Sequence, residues 1–263
     1  MLEINTIHLG DSYKLIKDIP DKSVDLVIID PPYEIVGGGC MTGIFKDRGT
    51  RHFNAIEDKN LTTGFDDSIL IELERVMKRT NIYIWCNKNQ IHQLLNFFDN
   101  GNRLFEFTLW NKTNPIPFLN NNWLNDKEYC LHFRDKGVPL YGDYSTKQTV
   151  FTQSANTDDK LHFDHPTIKP IERIKHFIIN SSQPNDLILD CFSGSGTTCV
   201  AAKELNRRFI GIEIDVNYHR ISVERLNGIT TSGQTSIFTD FEQQDIFDFI
   251  GDEHGTSDNK GLI

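Results

Sequence analysis

Several things this chain lacks narrow its reading before any motif is considered. No apolar stretch in its 263 residues approaches the length of a membrane-crossing helix. The opening Met1-Leu2-Glu3-Ile4-Asn5 lacks the basic and apolar regions of a secretion signal, so the expectation is a cytoplasmic protein without a membrane partner. The five cysteines, Cys40, Cys86, Cys130, Cys191 and Cys199, are odd in number, widely spread and free of any Cys-x-x-Cys pair. This argues against a disulfide framework and against a zinc site, and leaves reduced thiols that pack. No His, Cys or carboxylate cluster has metal-ligand spacing, so no metal is expected. A G-K-[ST] triphosphate loop is also missing.

Basic excess is absent too. The net charge is −10, the opposite of the footprint that phosphate neutralisation normally leaves. The charge is unevenly placed: residues 229–263 carry seven acidic side chains against Lys260, and residues 1–228 are only mildly acidic. The cluster Lys46, Arg48, Arg51 and His52 fits either a positive groove or a solvated surface.

What is present is an alternation of elements. Short apolar runs read as buried strands at Val24–Ile29, Asn81–Cys86, Phe105–Trp110, Leu187–Leu189 and Phe209–Ile212. Helical periodicity lies between them, at Ser68–Lys78, Lys88–Phe98, Ile171–Ile179 and Thr197–Leu205. The pattern predicts an α/β fold with a doubly wound, mostly parallel, Rossmann-like sheet in one domain over residues 1–228. Three stretches interrupt it: a long loop at 34–66 containing Gly37-Gly38-Gly39, a polar inserted lobe at about 118–164, and an acidic, flexible tail at 229–263.

Two corners carry chemistry. Asp30-Pro31-Pro32-Tyr33 follows the run Val24–Ile29 directly. Two prolines neither donate ladder bonds nor enter a helix easily, so the chain turns at the strand's carboxyl end, where α/β sheets bind ligands. A carboxylate, rigid carbonyls and an aromatic ring at such a corner suit an exocyclic amino group on a planar base, although a Pro-Pro pair alone is also an ordinary loop start. The second corner runs from Asp186 to Thr198: a strand, the turn Phe192-Ser193-Gly194-Ser195-Gly196, and a helix start. Its glycines allow close backbone approach and the helix offers free amides, while Glu213 lies about twenty residues after the first glycine, where a ribose-binding acid belongs. Cys199 occupies the third glycine position of G-x-G-x-x-G, which leaves open a plain strand-to-helix turn or a ligand with ribose but no pyrophosphate.

Together these residues resemble the amino-methylating DNA methyltransferases that use S-adenosylmethionine, in the circularly permuted class whose catalytic motif precedes the cofactor motif. The resemblance covers roughly residues 2 to 226. It rests on Asp30–Tyr33, on Phe192–Gly196, on His165-Pro166-Thr167-Ile168-Lys169-Pro170, on Gly10-Asp11-Ser12 and on Trp110–Pro115, all in family order. It departs at Cys191, where many relatives have proline.

The resemblance implies that Asp30, Pro31, Pro32 and Tyr33 are catalytic. It makes Asp11, Asp190, Phe192, Gly194, Gly196, Thr197 and Glu213 cofactor-binding, with Thr167 and Lys169 beside the cofactor's methionine end. It further implies a flipped base in double-stranded DNA, a target-recognition role for the lobe, and homodimers in some relatives. Asp at the head of the tetrapeptide points to adenine N6; cytosine N4, or an inactive DNA-binding regulator, stay open. In the tail, Gln234–Phe238 and Gln243–Phe247 resemble peptides that insert into the replication sliding clamp, against the alternative that the tail phenylalanines pack on the body or at a dimer contact.

Overall fold

The computed structural model describes residues 1–34, 64–115, 123–154 and 168–228. Among the described residues, eight strands form one sheet: β1 (Thr6–Leu9), β2 (Leu26–Ile29), β3 (Asn81–Cys86), β4 (Arg103–Lys112), β5 (Lys127–Asp135), β6 (Val150–Gln153), β7 (Leu187–Asp190) and β8 (Arg208–Glu213). Their order across the sheet is β1-β8-β7-β2-β3-β5-β4-β6. All neighbours are parallel except that β5 runs antiparallel to both β3 and β4.

Alternation along the strands explains the layering. Val27 and Ile29 of β2, with Ile82 and Ile84 of β3, face a core closed by α2 (Ser68–Val76) and α3 (Ile91–Phe98). Leu26 and Ile28, with Tyr83 and Trp85, face a second core closed by α4 (Ile171–Ser181) and α5 (Thr197–Glu204). The other described α-helices are the short α1 (Ser12–Leu15), capped by Asp11, and the longer α6 (Val216–Leu226), whose cap Asp215 accepts from the Asn217 and Tyr218 amides at 2.8 and 3.0 Å. The doubly wound, mostly parallel sheet is the expected fold.

The adjacent strands β7 and β2 lead away in opposite directions. From β7 the chain passes through α5 to β8, and from β2 through α2 to β3, the two helices lying on opposite faces. That is a topological switch point, where the carboxyl ends open into a crevice.

The expected strands are present with ends shifted by a few residues. The helix expected over Ser68–Lys78 stops at Val76, because Met77 turns extended and bridges Val24, beside the 3.0 Å bond from the Val24 amide to the Val76 carbonyl. The reading of 118–164 as an inserted lobe is corrected where the structure describes it. Lys127–Asp135 and Val150–Gln153 are strands of the central sheet, with Cys130, Leu131 and Phe133 fully buried. Of that range, 118–122 and 155–164 lie outside the described residues, as do 35–63, Thr167 and the tail with Gln234–Phe238 and Gln243–Phe247.

Candidate active site

Three carboxylates stand at the carboxyl ends of three neighbouring parallel strands. Glu213 ends β8, Asp190 ends β7, and Asp30 follows β2. The topology thereby brings two sequence corners some 160 residues apart into one cavity of about 430 Å³, within the usual range for small-molecule sites. Asp11, Asp30, Pro31, Pro32, Tyr33, Lys169, Asp190, Phe192, Gly194, Thr197 and Glu213 all line it.

Gly196, the remaining described residue of the expected set, is absent from the cavity wall. It caps α5 in the left-handed region (φ 78°), and a Cβ there would lie 2.9 Å from the Ser222 Cβ and 3.3 Å from Ile7 Cδ1. Its glycine identity serves the packing of α5 against α6 and β1. Thr197 lines the cavity, but its hydroxyl is held by Arg225 Nη1 at 2.7 Å.

On the glycine-loop side, Glu213 accepts from the Gly194 amide at 2.7 Å and from the Asp215 amide at 2.8 Å. Two backbone donors fix this carboxylate and leave further lone pairs on both oxygens for a ligand's hydroxyls. Burial raises its pKa despite those bonds. Asp190 is pushed up to about 7, chiefly by burial, with the Thr198 hydroxyl and the Phe192 amide working the other way. Asp11 accepts from the Tyr13 amide at 3.0 Å, and Ser12 donates to the Cys191 carbonyl, tying the start of α1 to the β7 turn.

On the other side, each oxygen of the Asp30 carboxylate already accepts one hydrogen bond from its surroundings. Tyr33 donates its hydroxyl to Oδ1 at 2.9 Å, and Lys169 Nζ donates to Oδ2 at 2.5 Å. The same ammonium lies 3.1 Å from Glu128 Oε2 and 5.4 and 5.2 Å from the Tyr33 and Trp85 ring centres. Lys112 Nζ, in turn, reaches Glu128 Oε1 at 2.6 Å. Gln90 donates to the Pro32 carbonyl at 2.9 Å and Asn87 to the Glu34 carbonyl at 2.5 Å, which pins the tetrapeptide to the start of α3.

Burial raises the Asp30 pKa, partly offset by Lys169. Burial also works against the Lys169 ammonium, but Asp30 and Glu128 outweigh it and hold its pKa above the ordinary lysine value. Glu128 is pulled down to about 2, since Lys169 and Lys112 overcome the cost of burying it.

Glu128 and Trp85 were not singled out by their sequence, and Lys112 only as part of the Trp110–Pro115 segment. Trp85 sits in a run already read as a strand, and β3's register turns it toward the pocket side. Glu128 became visible only through β5: because that strand is antiparallel, its first residues meet the carboxyl ends of its neighbours, pairing Tyr129 with Cys86 and Glu128 with Trp110.

Among the residues of the wall, Trp85 Nε1 is buried without a hydrogen-bond partner, and Glu128 Oε2 is buried against the Lys169 ammonium. Carboxylates beside a glycine turn suit a polar ligand carrying hydroxyl and amino groups.

Comparison with known proteins agrees with this layout. The family model described as DNA methylase, of the N6/N4 type, matches residues 24–224. The Type II methyltransferase M2.LlaDCHI of Lactococcus lactis subsp. cremoris is 31% identical over 246 residues, covering 85% of this chain and 90% of that protein. M.HinfI of Haemophilus influenzae, also a Type II methyltransferase, is 30% identical over 86% of this chain and 69% of its own length. Among solved structures, the M1.HpyAVI–SAM complex superposes with a TM-score of 0.62 at 24% identity, covering 84% of this chain and 98% of that one. The cytosine-N4-specific PvuII DNA methyltransferase gives 0.63 at 18% identity, over 84% and 85%. The chain belongs to the N6/N4 DNA methylase family.

Proposed function

We propose that this DNA methyltransferase transfers a methyl group from S-adenosylmethionine to the exocyclic N6 of an adenine flipped out of duplex DNA, within a Type II restriction–modification setting. The reading includes the permuted motif order, since Asp30–Tyr33 precedes Phe192–Gly196 in the chain. The observation that carries it is the meeting of the Asp30 corner and the Gly194–Glu213 corner in one cavity at the β7/β2 switch point.

When bound, the cofactor supplies an electrophilic sulfonium methyl. Glu213 would hold it by its ribose hydroxyls, and Asp11, Asp190, Phe192 and Gly194 would line its seat. Asp30 and the Pro31 carbonyl accept hydrogen bonds from the base's amino group. Their pull localises the nitrogen lone pair, otherwise spread into the ring, and the Asp30 charge with the Pro31 carbonyl dipole stabilises the positive charge that develops on nitrogen. Tyr33 offers a stacking face worth about 1 to 3 kcal/mol, which offsets much of the few kcal/mol spent in unstacking the base. Lys169 opposes the rise that burial imposes on Asp30 and so favours its ionised form.

Asp at the head of the tetrapeptide favours adenine. The second reading, cytosine N4, is supported by the superposition on the PvuII enzyme. Digestion of methylated DNA to nucleosides separates the two: N6-methyladenine supports the proposal, and N4-methylcytosine alone overturns the base assignment.

A further inference from the structure

Four charged side chains from four elements form a continuous line beside the cavity. Lys112 ends β4, Glu128 opens β5, Lys169 precedes α4, and Asp30 follows β2. Lys169 is shared between two carboxylates. It donates to Asp30 at 2.5 Å and lies farther from Glu128, at 3.1 Å from the buried Oε2. Glu128 is itself fixed by Lys112 at 2.6 Å. Two cations and two anions keep the group neutral whichever carboxylate Lys169 serves.

We infer that Glu128, anchored by Lys112, is a positioning residue that draws the Lys169 ammonium off Asp30 when the amino group of the substrate base reaches that carboxylate. The inference rests on the reading of Asp30 as the acceptor of that amino group. With Lys169 bonded to Oδ2 and Tyr33 to Oδ1, Asp30 is partly neutralised and both oxygens are engaged. Such an Asp30 is a poor stabiliser of positive charge developing on the base nitrogen. A small shift of Nζ toward Glu128, with the lysine still protonated, shortens that ion pair and lengthens the bond to Asp30 Oδ2 together. Asp30 can then gain acceptor strength at the moment the substrate needs it.

The test is the single-turnover rate of methyl transfer from saturating S-adenosylmethionine to unmethylated bacterial DNA, measured between about pH 5 and pH 9. It compares the full-length protein with Glu128→Gln and Lys112→Gln. The ionisable groups around Asp30 are Lys169, Glu128, Tyr33, Cys86 and Asp190, and only the first two change their influence in these variants. Loss of the Glu128 charge lowers the Asp30 pKa, so Glu128→Gln shifts the acid limb of the profile to lower pH. Its plateau falls about 10- to 100-fold, with cofactor and DNA affinities nearly unchanged. Loss of Lys112 leaves the Glu128 charge less compensated and shifts the limb to higher pH.

A Glu128→Gln plateau at the wild-type rate, or limbs that stay in place or move together, overturns the inference. Should Glu128→Gln lose cofactor binding through misfolding, Lys112→Gln alone decides by the direction of its shift. A wild-type protein that transfers no methyl to DNA amino groups overturns the functional reading and this inference with it. An active wild type with unaltered variants overturns the inference alone.

Discussion

Lys169→Met tests the electrostatics of the site through stability. The Lys169 side chain is 7% exposed, and its ammonium is the shared partner of Asp30 at 2.5 Å and Glu128 at 3.1 Å. Methionine keeps the length of the side chain and removes the charge. Glu128 retains Lys112, so one carboxylate, Asp30, loses its cation. Breaking a buried pair by removing one partner costs about 3 to 5 kcal/mol. The sign of the pH dependence follows from Asp30, whose pKa burial already raises and which Lys169 holds down. Without Lys169 it climbs further. A raised carboxyl pKa in the folded state costs stability as pH rises from the unfolded value through the folded one. The deficit of Lys169→Met is therefore largest near pH 8 and shrinks toward pH 5, by about 1.4 kcal/mol for each pH unit over which Asp30 titrates. Urea unfolding at both pH values measures it. A variant within about 0.5 kcal/mol of wild type at pH 8, as for an ordinary surface change, or a deficit that grows on acidification, would refute the reasoning.

Other positions give independent checks. Gly196→Ala places a methyl 2.9 Å from the fully buried Ser222 in left-handed backbone; strain and overpacking together predict a loss of about 2 to 5 kcal/mol, visible as a lowered Tm. Asp190 rises from 3.8 to about 7 on folding, so the protein loses stability as pH climbs through that window. Over the full window this amounts to about 4 kcal/mol, and Asp190→Asn flattens the loss, as urea melts at pH 5 and pH 8 would show. Glu213→Ala removes the charged acceptor beside the glycine loop and weakens S-adenosylmethionine binding about 10- to 100-fold by calorimetry, with the fold intact.

Much of the architecture was legible because its strands are buried on both faces. Leu26–Ile29, Asn81–Cys86 and Leu187–Asp190 are almost wholly apolar, and such runs announce themselves without any knowledge of their partners. The strand Lys127–Asp135 did not, since it carries Glu128, His132 and Arg134 among its apolar residues. His132 is buried through a stack on Tyr83 at 3.9 Å and a 3.2 Å bond to Asn81, both partners lying far away in sequence. Strand Thr6–Leu9 was too short to show a period.

The site divided in the same way. Asp30, Gly194 and Glu213, which line the cavity, were legible because turn chemistry and spacing are local properties. The Lys112–Glu128–Lys169 line was not, because it exists only once β5 is placed antiparallel between β3 and β4. Gly196, expected as a cofactor contact, also lets α6 approach the glycine turn, a packing demand that no local pattern distinguishes from a ligand's.

The most direct test of the account is methyl transfer from labelled S-adenosylmethionine to duplex DNA by the wild-type protein and by Asp30→Ala, with cofactor affinity measured in parallel. The account predicts labelled amino groups with the wild type, and transfer by Asp30→Ala about 100- to 1000-fold lower at nearly unchanged cofactor affinity. Near-normal methylation by Asp30→Ala would contradict it.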